Sequence, residues 1–137
     1  MIADTARVAM RDGTTKAAVD LFPEAQIMTF RDQKAAHTVV EQKKIENHND
    51  VICLILANGT RLLGSRDQRV CACRDKKAWY VQMADVEIGT TLRGQAAGVL
   101  THVRVIGILY FQKHQMRLVG FSRVNNDCFV AEGVLCR

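Results

Sequence analysis

The sequence predicts an all-β fold of one domain, and three observations lead to this prediction. Short stretches rich in Val, Ile, Leu and Thr recur roughly every 8 to 12 residues, as in sandwiches and barrels. Turn-forming sequences separate these stretches, and the chain contains only one proline, Pro23. The length of 137 residues is enough for one domain with its own hydrophobic core, which we place at residues 1–137.

Eleven segments have the composition of strands. In order, they are TARVAM, QIMTF, HTVVEQKKI, VICLILAN, TRLLGS, RVCAC, AWYVQM, TLRG, VLTHVRVIGILYF, MRLVGFSRV and CFVAEGVLC. The segments RDGT, ENHND, ANGT and RVNND supply turn residues, and Asn58-Gly59 suits a type I′ hairpin. Two long hairpins are expected, VVEQKKIENHNDVICLIL and VRVIGILYFQKHQMRLVGF, and TKAAVDLF and YVQMADVE each suit one short helical turn.

A weak internal repeat relates the two halves of the chain. Asp20-Leu21 is followed six residues later by Ile27, as Asp85-Val86 is followed six residues later by Leu92. The two matches share one offset of 65 positions, which predicts two related β lobes. We place the lobes at residues 1–70 and 71–137 and allow for strands exchanged between them.

Charge and hydropathy exclude some classes of protein. No apolar run approaches the roughly 18 to 20 residues that cross a bilayer, and the N-terminus lacks the pattern of a secretion signal, so synthesis in the cytoplasm without a membrane partner is expected. The net charge of +5 includes a basic stretch. Its members are Arg61, Arg66, Arg69, Arg74, Lys76 and Lys77. Interspersed acids favour a solvated surface over nucleic-acid contact, which stays an alternative.

Five cysteines cannot all pair within one chain. Cys71 and Cys73 should point to one face of a strand, too close together for the usual zinc spacing, so no metal or cofactor is expected. Cys136 lies beside the chain end, where exposure is common. These three thiols are therefore candidates for disulfides with a neighbouring chain. We also expect His48 at an exposed hairpin tip and Trp79 in the core.

Four segments, in this order, carry a resemblance to a known family. They are MIADTARVAMRDGTTKAAVDL, LANGTRLLGSRDQRV, KAWYVQMADVEIGTTLRG and VNNDCFVAEGVLCR. They resemble the sequence blocks of the Hint domain, the fold of inteins and of the autoprocessing domain of Hedgehog proteins. The resemblance spans essentially the whole chain, and it implies a horseshoe-like disc of two β lobes related by a pseudo-two-fold axis, in agreement with the repeat.

The family positions that carry out splicing are occupied by other residues here. The resemblance implies a Cys or Ser nucleophile at position 1, where Met1 has only a thioether and, as the initiator, no preceding peptide bond to attack. Ser65 stands at the place of a Thr, and Gln68 stands at the place of a proton-transferring His. Asp127 replaces a further His. Arg137 replaces the penultimate His, and the terminal Asn has no counterpart.

The resemblance therefore implies a scaffold without splicing chemistry, and we expect a structural or interaction module whose partners are other protein subunits. Because Hint domains are frequent in bacteriophage genes, it also implies a virion component such as a tail, baseplate, neck or head-decoration protein. One alternative is a residual autoprocessing or peptide-cleaving enzyme that uses Ser65 or a cysteine. The other is a nucleic-acid-associated protein that uses the basic stretch.

Overall fold

Twelve antiparallel strands form most of the structure, a computed structural model that describes residues 1–137. The strands are β1 (Ile2–Ala3), β2 (Arg7–Ala9), β3 (Thr15–Ala17), β4 (Gln26–Arg31), β5 (Lys34–Leu56), β6 (Arg61–Ser65), β7 (Arg69–Arg74), β8 (Lys77–Gln82), β9 (Thr91–Ala96), β10 (Val99–Arg123), β11 (Phe129–Ala131) and β12 (Val134–Cys136). Three single-turn 3₁₀ helices join some of them, at Ala18–Asp20, Met83–Asp85 and Val124–Asn126. The prediction of an all-β fold is confirmed.

The two halves of the chain have matching element orders. Each half contains a 3₁₀ helix, then a six-residue strand, then a very long strand. The second 3₁₀ helix begins 65 positions after the first, and the same offset separates the first residues of β4 and β9 and of β5 and β10. The offset found at Asp20 and Asp85 is thus the offset of the structural repeat, and the two-lobed prediction is confirmed.

The two longest strands correct the predicted turn positions. ENHND was expected to form a hairpin tip, but β5 continues through it, and β10 continues through FQKHQM with an irregularity between Gln112 and Met116. The two segments pair with each other, from Leu56 opposite Val105 to Val40 opposite Arg123. Because each strand supplies the other's backbone hydrogen-bond partners, neither has to fold back on itself.

The actual turns of the long arms lie at the ends of β4 and β9. Asp32 and Gln33 join β4 to β5, and Ala97 and Gly98 join β9 to β10. All four have positive φ, as a two-residue type I′ turn requires, although only one of them is glycine. The sequence signal for these turns is therefore weak, which explains why ENHND was preferred.

The sheet order brings the ends of the chain to the centre. The order is β3-β2-β11-β12-β7-β9-β10-β1-β6-β5-β4, with β8 paired to β7. β1 lies between β10 and β6, where Ile2 faces Val119 on one side and Gly64 on the other. β2, from the N-terminal half, pairs with β11 through Val8 and Ala131. β1 and β2, from the start of the chain, are thus paired with β10 and β11, from its second half.

One large apolar cluster of 24 buried residues fills the interior. Ile2, Leu54 and Leu92 are fully buried, and each such side chain contributes about 1.5–3 kcal/mol to stability. Trp79 does not belong to this core: its side chain lies on the edge strand β8 and is 47% exposed, so its expected core position was wrong. The structure contains no helix whose length and apolar character would allow it to span a membrane.

Candidate functional site

Four of the five family positions named from the sequence meet at the centre of the molecule. Met1 precedes β1, Ser65 ends β6, Gln68 precedes β7 and Arg137 follows β12. The Met1 amino group donates hydrogen bonds to Ser65 Oγ (3.0 Å) and to Gln68 Oε1 (2.9 Å). The backbone N–H of Ser65 donates in turn to the Met1 carbonyl oxygen (2.9 Å). Residues far apart in sequence thus form one polar cluster, which we call the central site.

Gln68 connects the N-terminal and C-terminal residues of this site. Its carboxamide nitrogen donates to the carbonyl oxygens of Arg69 (2.9 Å) and Arg137 (3.1 Å), while its carboxamide oxygen accepts from Met1. The backbone N–H of Arg137 also donates to the Arg69 carbonyl (3.1 Å). Gln68 is buried, so its polar atoms need these partners. Its side chain thus links the two ends of the chain through hydrogen bonds.

Asp67 and His48 also belong to this region, and the sequence did not single out either one for it. The Ser65 hydroxyl donates to Asp67 Oδ1 (2.7 Å), and this hydrogen bond lowers the pKa of Asp67 despite the opposing effect of partial burial. Met1, Asp67 and His48 line a cleft of about 410 Å³. His48 is therefore not at a hairpin tip: it is partly buried on β5, with Nε2 3.3 Å from Glu46 Oε1.

Asp127, the fifth family position, does not reach the central site with its side chain. Its carboxylate forms an ion pair with Arg31 (2.6 Å). Burial alone would raise the pKa of Asp127, but its hydrogen bonds, chiefly the one from Arg31, lower it overall. Its backbone carbonyl accepts from Arg123 Nε (2.7 Å), and Arg123 lines a cleft of about 280 Å³ beside Met1.

Arg123 is a buried cation that the sequence analysis missed. It ends β10, and its guanidinium also donates to the Phe121 carbonyl oxygen (2.7 Å). The guanidinium stacks on the Phe129 ring, 4.8 Å from its centroid, and burial lowers the pKa of Arg123. A cation held by carbonyl oxygens and aromatic faces has an evident structural role in fixing the end of β10 against β11.

The thiols of Cys71, Cys73 and Cys136 are buried, whereas a disulfide with another chain requires exposed thiols. Cys136 is fully buried, and burial raises its pKa to about 12. Cys71 and Cys73 point to one face of β7, as expected, but both are buried there. Cys71 packs against apolar neighbours, and Cys73 lies beside Thr91. The expected exposure of Cys136 was wrong because β12 is paired with β11, β7 and β9 up to its last residue. All five cysteines are free.

The six residues of the basic stretch named from the sequence are all exposed. Arg61 begins β6, Arg66 lies between β6 and β7, and Arg69 begins β7. Arg74, Lys76 and Lys77 surround the β7–β8 turn. The structure therefore distributes them over separate elements. No three His, Cys, Asp or Glu side chains are grouped so that they could hold a metal ion.

Comparison with known proteins identifies the fold. No protein-family model and no curated protein matches the sequence. Three of the similar solved structures are the TvoVMA intein (TM-score 0.87, 15% identity, 98% of this chain and 95% of that one), the bacterial intein-like domain from Clostridium thermocellum (0.79, 13%, 99% and 97%) and a DnaB intein from Synechocystis (0.85, 11%, 99% and 96%). The chain is a Hint-fold domain, built on the architecture of inteins and intein-like domains.

Proposed function

We propose that this chain is a Hint domain without splicing activity that docks into a larger protein assembly. The observation that supports the loss of activity is the central site, where Met1 and Gln68 occupy the positions of the nucleophile and of the proton-transferring His. A thioether cannot attack a carbonyl carbon, and a carboxamide has no pKa near neutral pH that would let it act as a general acid or base. Both groups serve the fold instead, since Gln68 links Met1 to Arg137.

The nearby acid does not replace the missing base. The Asp67 carboxylate accepts a hydrogen bond from the Ser65 hydroxyl, but its lowered pKa makes it a weak base at neutral pH. Ser65 itself is only 3% exposed, so a peptide has little access to its Oγ. These properties favour a structural role for the hydrogen bond between the two residues.

Exposed apolar side chains on the β5–β10 ribbon support the docking role. Ile106, Leu109 and Tyr110 on β10 are between 43% and 56% exposed, and Ile45 on β5 is 45% exposed. Exposed apolar surface of this kind is typical of protein interaction sites. The proposed partners are other protein subunits, and the proposed assembly is a bacteriophage virion, in which the domain would serve as a tail, baseplate, neck or head-decoration protein.

The loss of activity is tested by mass spectrometry on the chain produced with a short peptide at each end. After incubation with and without a thiol, we expect one species that contains both peptides. A matched variant with Met1→Cys, Gln68→His and Arg137→His, and with Asn added after residue 137, is the positive control for cleavage. Cleavage of the unaltered chain would contradict the proposal.

The docking role is tested in particles isolated from the native source. We expect the chain in these particles at a fixed stoichiometry, and we expect Tyr110→Asp to abolish its incorporation. Ile88→Asp is the matched control because Ile88 is 66% exposed but lies outside the ribbon. A chain that is absent from particles, or a Tyr110→Asp variant that is incorporated normally, would rule out this role.

A second candidate function, residual peptide cleavage, is favoured by one contact. Ser65 Oγ lies 2.7 Å from Asp67 Oδ1, beside a cleft that also holds His48. If this group were active, the flanked chain would be cleaved, and Ser65→Ala would stop the cleavage while Thr14→Ala, at an exposed position outside the cleft, would not. Cleavage with this pattern would replace the first proposal by the second.

A further inference from the structure

A third cleft lies where the β7–β8 turn faces β9 and β10. Its volume is about 680 Å³, and none of its lining residues belongs to the central site. Arg74 and Lys76 line it from the turn, Arg93 from β9 and His102 from β10. Only one acidic residue, Asp75, lies among them. We call this volume the basic cleft.

Arg93 is the unusual residue of the basic cleft. Its Nε is the one buried side-chain nitrogen or oxygen of the whole structure that has no hydrogen-bond partner. An unsatisfied buried polar atom costs about 1–3 kcal/mol and is rare in native proteins. Arg93 also forms no salt bridge. The Nε atom itself is closed to solvent, but the terminal nitrogens of the guanidinium also form no hydrogen bond within the chain, and they are the donors available to a ligand in the cleft.

The surroundings of Arg93 place further positive charge beside it. His102 lies directly opposite Arg93 in the antiparallel β9–β10 pair, so the two side chains share one face of the sheet. Arg74 and Lys76 reach the same cleft from another element, and neither forms an ion pair. The three cations, Arg93, Arg74 and Lys76, repel one another unless an anion lies between them, and His102 adds a ring nitrogen that can form a hydrogen bond.

We propose that the basic cleft is a binding site for a small phosphate-bearing ligand, with Arg93 as its central contact. Donors that line one cleft from several elements suit a tetrahedral phosphate better than a planar carboxylate, because its oxygens point in several directions. A guanidinium adds two parallel hydrogen bonds to one such group. The volume lies in the range of pockets that hold small molecules, which favours a nucleotide-sized ligand over a polymer.

Isothermal titration calorimetry at low ionic strength tests this site, with inorganic phosphate, ADP and a single-stranded oligonucleotide as the probes. We expect phosphate to bind and ADP to bind more tightly. Arg93→Gln should weaken ADP binding at least about tenfold, since it removes a charged hydrogen-bond donor pair. Arg61→Gln, which removes an exposed arginine outside the cleft, should leave the binding unchanged.

Folding and specificity are checked separately. Thermal unfolding shows whether Arg93→Gln is folded, and His102→Gln is a second variant that should also weaken binding. In the unaltered chain, NMR amide signals of Thr91, Arg93 and His102 should shift first during an ADP titration. Failure of phosphate and ADP to bind would overturn the proposal, as would equal losses in Arg93→Gln and Arg61→Gln. Tighter binding of the oligonucleotide than of ADP would overturn it in favour of a polyanion surface.

Discussion

Gln68 is a polar side chain that joins the two ends of the chain at the central site. Three of its hydrogen bonds join Met1, Arg69 and Arg137, three positions that are brought together only by the fold. A neutral carboxamide can donate and accept at once, which a neutral imidazole can do only with one proton and one fixed tautomer. The residue therefore fits a role in which holding the chain ends together is the requirement.

We predict that Gln68→Ala lowers the free energy of unfolding by about 1–3 kcal/mol, because it leaves buried partners without hydrogen bonds. Gln42→Ala is the matched control, since Gln42 is exposed on β5 and its side chain has no hydrogen-bond partner. Urea denaturation of both variants measures the difference. Equal midpoints for the two would show that the Gln68 contacts do not stabilise the fold.

Predictability from sequence differs among these residues. Met1, Ser65, Gln68 and Arg137 were named from the sequence because family motifs fix their order along the chain, and the structure brings them together. His48, Arg93 and Arg123 were missed, since each acquires its neighbours only through pairing with a distant strand. Linear spacing contains no information about such cross-strand neighbours unless the register is known.

At the scale of elements, close backbone approach holds β9 against the β11–β12 turn. A Cβ atom at Gly94 would lie 2.5 Å from the Gly133 carbonyl oxygen, and Gly94 pairs with Val134 in β12. The obstacle is backbone, which cannot rotate away as a side chain can. Glycine at position 94 is thus required by the packing of two strands.

We predict that Gly94→Ala destabilises the protein by about 1–3 kcal/mol or more, because β9 and the β11–β12 turn must separate. Gly120→Ala is the control: its Cβ would meet only the flexible Met1 side chain, at 3.1 Å, and should cost less than about 1 kcal/mol. Thermal unfolding of both variants distinguishes the two cases. Similar losses for both would mean that the β9 contact can relax.

The turns were the elements least predictable from sequence. ENHND has the composition of a turn, yet tertiary pairing with β10 keeps it extended. The turn at Asp32 and Gln33 contains no glycine, so its positive φ values follow from the strands on either side rather than from its own residues. By contrast, the short strands between clear turn signals were found, since their apolar patterns are local.

At the scale of the whole molecule, the fold encloses every thiol. Five cysteines lie in the interior of a sheet that has no disulfide. Burial raises the pKa of Cys136 to about 12 and also raises the pKa values of Cys53, Cys71 and Cys73. Since the thiolate is the reactive form, both access and ionisation limit their chemistry.

We predict that iodoacetamide at neutral pH labels the native chain slowly and labels five cysteines after denaturation. Mass spectrometry counts the labels. A non-reducing gel tests for interchain disulfides and should show only the monomer band. Alkaline pH should accelerate labelling of the denatured chain well before it affects Cys136 in the folded one. Rapid labelling of native Cys136, or a band of higher mass that disappears on reduction, would contradict this prediction and support a disulfide with a neighbouring chain.

The pairing of β5 with β10 also sets the order in which this chain can fold. Paired residues are separated by between 49 positions, for Leu56 and Val105, and 83 positions, for Val40 and Arg123. The longest ladder of the molecule thus closes only after large intervening loops have been brought together, and such non-local topologies fold in roughly milliseconds to seconds. During synthesis, β5 leaves the ribosome long before its partner exists, with the apolar run from Val51 to Leu56 uncovered. The chain is therefore most prone to aggregation before this ladder closes, and chaperone contact is expected to matter most in that interval.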